Sequence, residues 1–138
     1  MRKIMATLVT GIAVAATVAT GPAANAADNA PCGAQWWHSG YQVYVQTCPD
    51  WSPPKYGVIP VYEYPSARPG QRKVGEIDPA GSDWYVCGLK GDSYGFDGFQ
   101  NDWWALTVAD NGQTGYVNQV FFRGGDNYEP DANLVRCN

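Results

Sequence analysis

Four cysteines, at positions 32, 48, 87 and 137, constrain this chain more than any other feature of its 138 residues. A short chain in an oxidising compartment uses disulfides where a small core cannot hold it together alone. Four cysteines allow three pairings. Cys32 and Cys48 lie equally far from Gly40, and Trp37-His38-Ser39-Gly40-Tyr41 reads as a turn between two aromatic-rich strands. A Cys32–Cys48 bond would tie that hairpin across its open end, and Cys87–Cys137 would then fasten the C-terminal tail to a central strand. No Cys-x-x-Cys spacing occurs and the chain has one histidine, so zinc ligation and thiol chemistry fit poorly.

The start of the chain points to the same compartment. Arg2 and Lys3 precede an apolar run from Ile4 to Thr20, and Ala24-Asn25-Ala26 supplies a small-x-small cleavage pattern. Residues 1–26 are therefore expected to be a signal peptide, leaving a secreted, extracellular chain from Ala27. The run is too rich in Ala, Thr and Gly to hold a bilayer and no second hydrophobic stretch follows, so no membrane insertion is expected. Residues 27–138 carry all thirteen acidic residues but only seven of the nine basic ones, a net charge of −6. That charge repels phosphate backbones and argues against nucleic acid as a partner. All six Trp, nine Tyr and four Phe lie after the leader, so the core must be built from rings, and several must reach the surface.

Tyr41, Val43, Val45 and Thr47 alternate with Gln42, Tyr44 and Gln46, the period of a half-buried strand. Pro49 to Pro54 stops regular structure. Short β segments follow between Gly, Pro and Asp: Val58 to Tyr62, Lys73 to Ile77, Trp84 to Cys87, Trp103 to Val108, Thr114 to Val117 and Val120 to Phe122. No stretch shows a 3.6-residue apolar period, so the expected class is all-β. Asp110-Asn111-Gly112 predicts a tight hairpin, since Asn-Gly accepts positive φ. Alternation puts Trp104, Leu106 and Val108 on one face, expected to be the core, and Trp103 and Ala105 on the other. Gly88 to Asp102 is too glycine-rich for a strand pair and is expected to be a loop packed by its own rings.

Ile59-Pro60-Val61-Tyr62-Glu63-Tyr64-Pro65-Ser66, Val74-Gly75-Glu76-Ile77, Asp83-Trp84-Tyr85-Val86, Asp102-Trp103-Trp104-Ala105-Leu106, Asn111-Gly112-Gln113-Thr114-Gly115-Tyr116-Val117 and Val120-Phe121-Phe122 occur in that order. Together they resemble the strands, long first loop and distal hairpin of SH3-like domains, in particular the SH3b domains of secreted bacterial proteins. The resemblance covers roughly Val58 to Phe122. It implies a small SH3-like barrel in residues 58–138 with a disulfide-tied C-terminal wrap, preceded by a β-hairpin extension in residues 27–57. It also implies a ligand-binding aromatic groove of Tyr62, Tyr64, Trp103 and Phe121 for an extended chain. Asn118-Gln119 stand where proline-binding members carry a groove proline, which turns the expectation from proline-rich ligands toward a cell-wall peptidoglycan peptide or an extracellular protein.

The expected function is thus non-catalytic binding by a secreted monomer, with no cofactor and no metal. The alternative is a secreted inhibitor or effector that presents a rigid, disulfide-anchored loop, Gly88–Asp102 or Pro49–Tyr56, to another protein. His38 reads as a solvated turn residue, and Ser39 beside it makes no triad. Glu63, Glu76 and Glu129 read as solubilising charges rather than a hydrolytic pair. Asp92, Asp97 and Asp102 recur every five residues, which is not the spacing of a calcium loop.

Overall fold

The computed structural model describes residues 30–138 except 82, so the expected signal peptide lies outside the described residues. The described chain is almost wholly strand and turn. β1 (Gln35–His38), β2 (Val43–Thr47) and β5 (Trp84–Tyr85) form a three-stranded antiparallel sheet in the order β1-β2-β5. β3 (Ile59–Tyr62), β4 (Lys73–Ile77), β6 (Gly88–Phe96), β7 (Phe99–Val108) and β8 (Thr114–Asn118) form a second antiparallel sheet in the order β4-β3-β8-β7-β6. Both sheets are open, with β4 and β6 left as the edges of the larger one.

One segment joins the two sheets. Trp84 and Tyr85 pair with β2; then Val86 N donates to Leu106 O (2.8 Å), Leu106 N donates to Cys87 O (2.9 Å), and Gly88 pairs with Ala105. The chain therefore crosses from sheet to sheet without a break in backbone hydrogen bonding, which keeps its buried amides satisfied.

The disulfides are Cys32–Cys48, closing the β1–β2 hairpin, and Cys87–Cys137, holding the tail to the start of β6. Beside the second, Gly88 N donates to Val135 O (2.8 Å) and Cys137 N to Gly88 O (3.0 Å), a short parallel bridge that covers this end of the β6 edge.

Gly88–Asp102 is not a loop. It is the long β6–β7 hairpin, turning at Asp97 and Gly98, both with positive φ. Of the glycines that argued against a strand, Gly98 serves the turn, while Gly91 and Gly95 are there because neighbours press on the backbone. A Cβ on Gly91 would stand 2.7 Å from Trp104 Cδ1 and run into the Pro65 carbonyl. Trp104 seals that contact by donating from its indole N–H to Asp92 O (2.8 Å). Two further expectations change at the ends of segments. Only Trp84 and Tyr85 of the third expected strand pair with β2, and Gln119–Phe121 is a turn of 3-10 helix, capped by the Asn118 side chain accepting from Val120 N.

The face assignment on β7 holds for Trp104, which is buried, but not for Leu106, Val108 and Ala105. Ala105 and Thr107 face the main core with Tyr85, Phe122, Ile59, Val61, Ile77 and Val117, whereas Leu106 and Val108 are only partly buried. Trp104 is fully buried as well, but on the opposite side, beneath Tyr62 and Tyr94. The alternation holds; the small residues face the core because Tyr85 and Phe122, with centroids 4.6 Å apart, already fill it.

Two stability outcomes follow. Replacing Cys87 and Cys137 together by serine opens a loop of 50 residues, and the loss should be about 2–4 kcal/mol in denaturant titration. Gly91→Ala should cost about 1–3 kcal/mol, because its backbone neighbours cannot retreat.

Candidate functional site

Rings concentrate where β3 and the β6–β7 hairpin meet. Tyr62 lies 6.3 Å from Tyr94, Tyr94 lies 6.3 Å from Phe96, and Phe96 lies 5.5 Å from Tyr56 and 5.9 Å from Phe99. Trp51 closes the row against Phe99 at 5.1 Å and Phe96 at 5.9 Å. Beneath it lie the buried rings of Trp104 and Phe121. Trp104 stands edge-on to Tyr62 at 6.0 Å, and Phe121 lies 5.2 Å from Phe96 and 6.0 Å from Tyr94. The upper rings are half-buried, and Tyr56 and Tyr64 are exposed by 47% and 60%. The result is an apolar strip with phenol hydroxyls along it.

Those hydroxyls interact. Burial pushes the Tyr94 phenol up to about 12, with smaller contributions from Tyr62 and Tyr56 and from a hydrogen bond with Tyr62. The Tyr94 phenol is therefore a neutral donor and acceptor at physiological pH, suited to amide and hydroxyl partners. Ion pairs flank the strip. Arg68 reaches Asp92 at 2.7 Å, Glu63 pairs with Arg72 at 3.3 Å, and Lys55 pairs with Asp97 while its ammonium lies 4.9 Å from the Tyr56 ring centre.

Of the four residues expected in a groove, the structure brings together two. Tyr62 is in the row, and Phe121 lies under it, 1% exposed. Tyr64 is open to solvent two residues further on. Trp103 points away from Trp104 across β7 and is capped on its face by Arg136, 4.0 Å from the ring centre, with Lys90 at 5.5 Å. Tyr94 and Phe96 take the central places. The signal that marks them is period-two, Tyr94-Gly95-Phe96, inside the stretch whose glycine content suggested a loop.

The remaining sequence candidates are dispersed. Asp92, Asp97 and Asp102 each take a different cation, Arg68, Lys55 and Lys90, so their five-residue spacing does not gather them. Glu76 pairs with Lys73. Among the described residues no group of three or more His, Cys, Asp or Glu is placed to hold a metal ion. His38 is not a solvated turn residue: it ends β1 and packs against Trp84 at 4.7 Å, Tyr41 at 5.0 Å and Trp36 at 5.3 Å.

A carboxyl pair that sequence reasoning did not single out sits between the sheets. Asp50 is 8% exposed and accepts from the Tyr85 hydroxyl at 2.8 Å, while its backbone oxygen accepts from Arg123 Nε at 3.0 Å. Burial, then the neighbouring Asp83, push Asp50 up to about 8 against the opposing Tyr85 hydrogen bond and Arg123 charge. Burial likewise raises Asp83, opposed by its hydrogen bond with Asp50. Asp83 Oδ2 is buried with no other donor, so one proton shared between the carboxyls satisfies both. The pair works as a fastener between the segment after Cys48 and the approach to β5.

Comparison with protein families, with curated proteins and with solved structures finds no match for this chain.

An acid whose pKa rises on folding takes up a proton as it folds, so its contribution to stability is complete at low pH and fades as pH rises. With Asp50 moved from 3.8 to about 8, thermal unfolding should occur at progressively lower temperature between those limits. Asp50→Asn, which keeps an acceptor for Tyr85, should flatten that slope; an unchanged slope in scanning calorimetry removes the shared-proton account.

Proposed function

We propose that this chain is a secreted, non-catalytic binding module of the SH3-like class that holds an extended cell-wall peptide or extracellular protein segment along Tyr56, Tyr62, Tyr94 and Phe96. The observation that carries the reading is the two-layer ring strip. Buried Trp104 and Phe121 fix the positions of partly exposed rings above them, so a ligand meets a preorganised apolar surface. Phenol hydroxyls beside that surface suit the amides of an extended backbone. The order of β3, β4, β7 and β8 and the Asn111-Gly112 hairpin support the SH3-like class; closure of the sheets into a barrel is no part of that support.

Export agrees with two disulfides and no free cysteine among the described residues, a pattern of oxidising compartments. No helix among the described residues is long and apolar enough to cross a membrane. An inhibitor or effector is the second reading. It draws support from the β6–β7 hairpin, which is paired on either side of a bulge between Lys90 and Tyr94 and anchored at its base by Cys87–Cys137.

Sedimentation of the oxidised protein with insoluble bacterial cell wall, alongside affinity capture of extracellular proteins, tests the module. Tyr56→Ala and Tyr94→Phe, the first removing an exposed ring and the second one hydroxyl, should weaken retention. Trp103→Ala should leave it intact. Retention indifferent to both tyrosines places the ligand elsewhere, and no retention on either material removes the reading.

A further inference from the structure

Between Asp28 and Asp50 the sequence contains no Asp, Glu, Lys or Arg, although the whole chain has 22 such residues, nine basic and thirteen acidic. That uncharged stretch includes the β1–β2 hairpin, and it is also where exposed rings are densest: Trp36 at 41%, Trp37 at 51%, Tyr41 at 51% and Tyr44 at 58%. These rings divide between the two faces of the hairpin. Trp36 and Tyr41 pack with His38 and Trp84 into one cluster. Trp37 and Tyr44 are paired across the strands on the other face, with ring centres 5.1 Å apart.

The second face continues along the hairpin by strand alternation. Gln35 and Gln46 pair with each other and share the side occupied by Trp37 and Tyr44. There a shallow depression of about 470 Å³ opens, lined by Gly33, Gln35, Gln46, Asn133 and Val135 over Cys32. The floor is rigid. Gln46 donates to Gly33 O (2.8 Å) and Asn133 O (2.9 Å) and accepts from Val135 N (2.9 Å), while Asn133 donates to Cys32 O (3.0 Å). A ring pair thus stands beside a neutral hollow rimmed by carboxamides and backbone carbonyls, with the Gln35 side chain exposed on its lip.

We infer that the Trp37–Tyr44 face and the adjoining hollow form a second binding site, independent of the Tyr62–Phe96 strip, whose ligand is a neutral oligosaccharide. Aromatic faces attract the weakly positive C–H face of a sugar ring, and the exposed carboxamides of Gln35 and Asn133 match hydroxyls because each both donates and accepts. The absence of charge is the deciding feature. It gives no counter-ion to a carboxylate, phosphate or ammonium and spares a neutral ligand the cost of stripping water from ions. A protein partner fits less well, because the hairpin carries no Arg, the side chain that accompanies Trp and Tyr at protein interfaces.

The test is titration of the full oxidised protein with cellohexaose, chitohexaose and maltohexaose, followed by tryptophan fluorescence and calorimetry, with sedimentation velocity on the free protein. At least one sugar should bind, with affinity unchanged between low and high salt. Trp37→Ala should weaken binding about tenfold or more, about 1.4 kcal/mol, with Trp37→Tyr recovering part of it. Trp37 and Tyr44 are half-exposed, so unfolding temperatures of variants at either should match the parent. Tyr94→Phe, which alters only the other surface, should leave sugar binding unchanged, so failure of one site is separable from failure of the other. Three results overturn the inference: no binding of any of the three sugars, binding indifferent to Trp37→Ala and Tyr44→Ala, or a parent dimer that Trp37→Ala converts to monomer.

Discussion

The Asp131 carboxylate is the point on which the two ends of this chain depend. It is 1% exposed and accepts from Cys32 N at 3.1 Å, across 99 residues of sequence, while also accepting from Asn133 N and Leu134 N. Its own backbone N–H donates to the Gln119 side chain, whose amide donates onward to Trp104 O. Gln46 makes the parallel connection from the hairpin to the tail. Neither the segment around Cys32 nor the tail belongs to a long ladder, so their backbone groups need partners from side chains. Removing one such acceptor leaves several buried donors bare, a larger loss than one hydrogen bond.

The same scarcity of regular structure explains the use of rings. Long aliphatic side chains are few, and the core at the sheet junction is filled by Tyr85, Phe121 and Phe122. Each ring covers much area with few rotamers to freeze, which suits a chain of this size. The tyrosine hydroxyls must then be satisfied inside, and the Tyr85–Asp50–Asp83 chain does that. A polar cost at one ring is met by a carboxyl that in turn gives up its charge.

Local signals in the sequence located what local physics determines. The hairpin closed by Cys32 and Cys48 follows from symmetry about Gly40, and the β7–β8 turn from Asn111-Gly112; both are present, as is the Cys87–Cys137 bond. What the sequence hid depends on distant neighbours. Glycine at 91 signals a loop unless Pro65 and Trp104 are known to lie against it. Alternation on β7 was readable, yet which face meets the core depends on rings contributed by β5 and the 3-10 turn. Trp103 looked free because Arg136, which covers it, comes from the last three residues. The ring strip was half legible: Tyr62 stood out, while Tyr94 and Phe96 were disguised by the glycines between them.

The tail also sets an order of events. Its partners lie on the first hairpin, on β6 and beside the 3-10 turn, so it can dock only after three separate parts of the chain have come together. Contacts of such long sequence separation form late, since the intervening chain must first lose its freedom. Until the tail has docked, Cys87 waits with an unpaired thiol at the start of β6, so the Cys87–Cys137 bond acts as a latch that closes on an already assembled fold.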